Sequence, residues 1–135
     1  MTSLNIKSKI NIRVYYEDTD IGGVVYHSKY LNFAERGRAE LLRKLSLEQT
    51  LIKDIYNIQF VVKELSINYL GYCSLDDDVL LETSLTSLNR AKLTFNHLFY
   101  KRNKKITNVL VDLCCVNNTG KVARMPKSLY HKIIN

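Results

Sequence analysis

The chain has 135 residues, 46% of them hydrophobic and 24% charged, with a formal net charge of +7. These values are ordinary for a soluble globular protein, and the length suits one domain, residues 1–135, burying about two-thirds of its unfolded surface without disulfides or metal. No run of about 18 apolar residues reads as a membrane span, and the opening MTSLNIKSKI lacks the apolar core of a signal peptide, so a cytoplasmic, non-spanning protein is expected.

Residues 10–16, INIRVYY, are β-branched and aromatic and read as a strand. Residues 17–23 hold Glu17, Asp18, Asp20, Gly22 and Gly23 and read as a loop. From Ser28, a fair N-cap, to Leu45 the spacing of Tyr30, Ala34, Gly37, Leu41 and Leu45 predicts a long amphipathic helix. Gly37 costs about 1 kcal/mol relative to Ala in a helix interior, which is tolerable where the helix backbone must lie close to a sheet. A short second helix is expected within residues 46–58. The period then becomes two. Leu65, Ile67 and Tyr69 share one face of a strand over 60–70; Val79, Leu81, Thr83 and Leu85 share the next. Leu93, Phe95, His97 and Phe99 follow, then Val109, Val111, Leu113 and Cys115. Asp76–Asp78, Asn89-Arg90 and Asn117–Gly120 mark turns, residues 121–125 resume a strand, and Pro126 opens a short C-terminal helix. The order implies an α+β architecture, a five-stranded antiparallel sheet with one long helix across its concave face.

Three acids crowd the stretch VYYEDTDIGGVVYH, residues 14–27. A carboxylate in a Gly-flanked loop before a helix has two readings. It can cap a polar turn. It can also act beside the unpaired N–H groups and partial positive charge of the helix N-terminus, which polarise a carbonyl under attack. Asp20 would then be the nucleophile or the base that activates water. Residue types and spacing leave both readings open.

Residues 14–45, VYYEDTDIGGVVYHSKYLNFAERGRAELLRKL, resemble the N-terminal motif of the hotdog-fold acyl-CoA thioesterases of the 4-hydroxybenzoyl-CoA thioesterase-like group, most closely the Tol–Pal-associated YbgC subfamily. INYL at 67–70, LDDDVLLET at 75–83 and GKVARMP at 120–126 extend the resemblance over nearly the whole chain. Gly71-Tyr72 departs from it, since the family often has Pro-Ala there. The resemblance implies a hotdog fold and hydrolysis of an acyl-CoA thioester without a cofactor or metal. It implies Asp20 as the catalytic carboxylate, the backbone N–H at or near His27 as the carbonyl donor, and an assisting role for the His27 side chain. Gly22, Gly23, Val24 and Tyr26 are expected at the substrate. It also implies a homodimer or homotetramer joined edge to edge, with an acyl carrier protein or a Tol–Pal-related protein as a candidate partner. The alternative on the same fold is a non-catalytic module that binds acyl groups or an envelope or cell-division protein.

The charge of +7 suits the phosphates of coenzyme A, and Arg90, Lys92 and Arg124 are expected on their rim. Scattered Lys and Arg, without basic–aromatic alternation, argue against nucleic acid. The densest run, Lys101–Lys105, reads as a solvated hairpin tip. Asp18 is expected to brace the loop, Glu17 to be solvated, and His97 to be a hydrogen-bonded core residue. Cys73, Cys114 and Cys115, without CxxC spacing, read as buried thiols rather than a disulfide framework or zinc site.

Overall fold

Alternating apolar side chains become strands that bury one face. In the computed structural model, which describes residues 4–135, six strands pair antiparallel: β1 (Ile6–Arg13), β2 (Ile58–Tyr69), β3 (Asp78–Leu88), β4 (Leu93–Lys101), β5 (Lys104–Asn117) and β6 (Val122–Ala123). Their spatial order is β1-β3-β4-β5-β2, with β6 against the end of β5. The helices are α1 (Lys29–Lys44), α2 (Gln49–Tyr56) and α3 (Lys127–Ile134). Five long strands were expected; β6 is a two-residue sixth. β1 also starts earlier and stops at Arg13, and Tyr16–Asp18 form a 3-10 turn instead of continuing the strand. The reason is local: Asp18 Oδ2 accepts the Tyr15 N–H at 2.9 Å, turning the backbone away from β3.

The alternation sets the core. Val79, Leu81, Thr83 and Leu85 of β3 meet Leu93, Phe95, His97 and Phe99 of β4, and all eight are buried. Cys73, Cys114 and Cys115 are buried free thiols, and burial pushes Cys73 and Cys115 up to about 11, which keeps them protonated. The basic run makes a tight turn, with Arg102 and Asn103 both at positive φ between β4 and β5. α1 lies mainly on β1 and β3, with fewer contacts to β4 and β5. Gly37 permits this approach. A Cβ there would collide with Thr83 Oγ1 and stand 2.9 Å from Leu81 Cδ2.

Beneath α1, Arg38 Nη1 lies 3.1 Å from His97 Nε2, and Thr83 Oγ1 lies 3.0 Å from His97 Nδ1. A guanidinium only donates, so Nε2 accepts, Nδ1 carries the proton toward Thr83, and the ring is neutral. Burial, then the Arg38 charge, lowers the His97 pKa to about 3. The unfolded chain therefore binds the extra proton. The contribution of His97 to stability is complete above pH 6.5 and is lost as pH falls toward 3. Between pH 6.5 and pH 5 the loss is about 2 kcal/mol. His97→Gln keeps an acceptor for Arg38 and does not titrate. Urea unfolding should show a shallower acid slope in the variant; equal slopes would mean that another group titrates.

Candidate active site

The loop between β1 and α1 is held by hydrogen bonds it makes itself. Asp20 Oδ1 accepts from Gly22 N–H at 2.9 Å and from Val24 N–H at 3.4 Å. The Asp20 N–H donates to Val24 O at 2.8 Å, and Gly23 N–H donates to Asp20 O at 3.0 Å. Gly23 takes φ +82, which suits glycine. At Gly22 a Cβ would stand 3.3 Å from Asp20 Oδ1, so the missing side chain leaves room for the carboxylate. Asp20 itself is exposed to solvent.

Asp18 does different work. It is almost fully buried, accepts the Tyr15 N–H, and pairs with Lys29 Nζ at 3.3 Å. Among the described residues its Oδ1 has no hydrogen-bond partner in good geometry, so the Lys29 contact is a charge pair rather than a directed bond. The Asp18 carbonyl accepts Tyr26 N–H at 2.9 Å. It is thus the brace expected of it, and Glu17 is exposed. The segment 70–77 supports the loop from the other side: Val25 N–H donates to Cys73 O at 2.8 Å, and Val24 bridges Ser74.

His27 stands exposed at the entrance to α1, its ring 4.4 Å from that of Tyr26. Ser28 occupies the N-cap position, but its hydroxyl makes no cap hydrogen bond, and the first turn of α1 has no acid. The helix end therefore keeps its partial positive charge. Among the described residues, no acceptor is paired with the His27 N–H. The His27 carbonyl accepts the Tyr69 hydroxyl at 2.6 Å, so the peptide after His27 is fastened to β2. The sequence placed Tyr69 with Leu65 and Ile67 but gave it no role. Its position four residues beyond Leu65, on the face toward the helix, was the available signal.

The structure brings Asp20, Gly22, Gly23, Val24, Tyr26 and His27 into one loop. Arg90, Lys92 and Arg124 are elsewhere. Arg13 pairs with Asp78 at the loop end of β3, whereas Arg90 and Lys92 follow Leu88 at its other end, roughly 30 Å along the strand. Arg90 Nε donates to Met125 O at 2.7 Å, and Lys92 Nζ is 3.9 Å from Asp112 Oδ2. Within one chain these cations do not meet Asp20. Among the described residues no group of three or more His, Cys, Asp and Glu is placed to hold a metal ion.

β2 closes one edge of the sheet, and Val61, Val62 and Leu65 on it are exposed. No helix among the described residues is long and apolar enough to cross a membrane.

Known proteins resemble this arrangement. The model of the thioesterase-like superfamily matches residues 14–133. The chain is 40% identical to an acyl-CoA thioesterase YbgC of Haemophilus influenzae, covering 78% of each chain. It is 36% identical to the acyl-CoA thioester hydrolase YbgC of Escherichia coli O6:H1, covering 87% of this chain and 89% of that one. Among solved structures, a probable thioesterase from Bartonella henselae superposes with a TM-score of 0.85 at 31% identity, over 89% of this chain and 99% of the other.

Proposed function

The chain belongs to the thioesterase-like superfamily, with the hotdog α+β fold of its relatives, and on that premise we propose that it is a cytoplasmic acyl-CoA thioesterase. Acyl-S-CoA and water give a carboxylic acid and the free thiol of CoA. One observation carries the residue assignment: a carboxylate with Oδ1 fixed by two backbone N–H groups stands in the loop that leads into an uncapped helix N-terminus.

In this reading the thioester carbonyl oxygen takes the His27 N–H and the field of α1 as negative charge develops on it. Asp20 presents Oδ2. It removes a proton from the attacking water, or it attacks the carbonyl carbon and forms an anhydride that water then cleaves. The C–S bond breaks as the tetrahedral oxygen reforms its double bond, and the thiolate leaves with a proton from solvent or from the exposed His27 ring. Label found in Asp20 after a single turnover in ¹⁸O-water identifies the anhydride route, because it enters there only when water attacks the Asp20 carbonyl of the anhydride.

Tyr69 holds the His27 carbonyl and so fixes the peptide that starts the helix. Tyr69→Phe should lower kcat about tenfold, the value of one good hydrogen bond, with KM little changed. A rise in KM at constant kcat would instead make Tyr69 a substrate contact.

Dimerisation through β2 completes the reading. An unpaired twelve-residue edge with exposed Val61, Val62 and Leu65 is suited to cover by a second copy. A two-fold axis between antiparallel β2 strands sets each chain's loop end beside its partner's opposite end, where Arg90, Lys92 and Arg124 lie. Cations remote from Asp20 in one chain would then reach the CoA phosphates bound to the other. Light scattering should give about twice the chain mass of 15.7 kDa, or a multiple of that dimer. A monomer that hydrolyses acyl-CoA would remove these three residues from the phosphate site.

A further inference from the structure

A cleft of about 220 Å³ opens between α1 and the concave face of β2 and β5. Leu31, Val62, Leu65 and Val111 give it apolar walls, and Arg38 and Glu35 also line it. It begins one helical turn past His27, because Leu31 follows His27 by four residues. Arg38 is 7% exposed, whereas Glu35 is exposed and lies a turn nearer the mouth. Among the described residues, the only hydrogen-bond partner of Arg38 is the neutral His97 ring, and no carboxylate lies at ion-pair distance. The Glu35 charge acts on Arg38 from one turn away without pairing with it. A desolvated guanidinium fork with no carboxylate in direct contact is built to receive one on two parallel N–H bonds.

We propose that this cleft selects acyl groups that carry a carboxylate at their far end, with Arg38 as the residue that holds it. The inference rests on the thioesterase reading above and specifies its substrate class. The geometry sets the length. Long helical side chains point back toward the helix N-terminus, so the guanidinium stands about 10–12 Å from His27 along α1. That span fits a medium-length dicarboxylic chain bound to CoA through one end. A shorter chain would end its carboxylate beside Glu35 and be repelled; a chain that passes Glu35 reaches Arg38. The apolar walls accept the methylenes between the two ends.

The test compares pairs matched in length: hexanoyl-CoA with adipyl-CoA, and octanoyl-CoA with suberyl-CoA. The wild type should favour the carboxylate-ended member of at least one pair by about tenfold to a hundredfold in kcat/KM, the range of a charge-assisted hydrogen bond. Arg38→Met keeps the side-chain volume and removes the buried charge, so it should fold, lose that preference and retain activity on the neutral member. Arg38→Lys keeps the charge without the fork and should fall between. A second readout needs no hydrolysis: free adipate should raise the melting temperature of the wild type more than hexanoate does, and should not do so in Arg38→Met. Wild-type hydrolysis of neutral acyl-CoAs with no preference for the charged partner would overturn the inference and leave the thioesterase reading standing. Hydrolysis of no acyl-CoA at all would remove that reading, and the adipate shift would then decide the cleft alone: a shift lost in Arg38→Met supports the carboxylate site, and no shift overturns it.

Discussion

Asp20→Asn is expected to reduce thioester hydrolysis at least about 10²-fold while leaving the thermal melt unchanged. The amide keeps the size of the side chain and an oxygen for the Gly22 and Val24 N–H groups, so the loop keeps its internal bonds. What disappears is the charge needed to take a proton or to attack carbon, and the loss is larger if Asp20 forms the anhydride. Asp18→Asn makes the contrast. Asp18 is buried under the loop and paired with Lys29, so its neutralisation strands a partly buried cation and should cost about 1 kcal/mol or more of stability. Its effect on kcat/KM should be smaller than that at Asp20. Both variants are judged on one acyl-CoA substrate with a melt for each. A folded Asp18→Asn that loses more activity than Asp20→Asn would move the chemistry two residues upstream.

Gly37→Ala is expected to destabilise the protein by about 1–3 kcal/mol, although helix propensity alone favours Ala by up to about 1 kcal/mol. Overpacking wins because the new methyl would overlap Thr83 Oγ1 and press on Leu81, both fixed in β3, which is paired on both sides. The shift also disturbs the bond that His97 Nδ1 donates to Thr83 Oγ1, which positions the ring beside Arg38. Replacing Thr83 with Ala as well should open the space, so the double variant should be less destabilised than the sum of the two single changes. Denaturant unfolding measures all three. A more stable Gly37→Ala would mean that α1 stands far enough from β3 to admit a methyl group.

Much of this was legible in the sequence because strand parity and helix period are local signals. The faces of β3, β4 and β5 were read correctly from Val79, Leu93 and Val109 onward, and α1 began one residue after its expected start. The placement of Gly37 against the sheet followed from the same logic. β1 was misjudged at both ends. The strand was expected from Ile10, yet β1 starts at Ile6, an edge strand whose alternate residues face water. Tyr15 and Tyr16 looked like strand residues, but Asp18 captures the backbone there. Long-range placement was not legible. Nothing in residues 89–124 says which end of the sheet Arg90, Lys92 and Arg124 occupy, because that depends on how far each strand runs before it turns. Tyr69 and Arg38 were passed over for a similar reason. Their partners, His27 and His97, lie 42 and 59 residues away.

As a member of the thioesterase-like superfamily, the chain is a thioester hydrolase. The most direct test is to incubate the purified protein with a panel of acyl-CoA and acyl carrier protein thioesters and to follow free thiol with a chromogenic disulfide. Catalytic, multiple-turnover thiol release from at least one acyl-CoA is expected, with one carboxylic acid formed per thiol. Tight binding of the same thioesters with no release from any of them would contradict it and leave an acyl-binding module in its place.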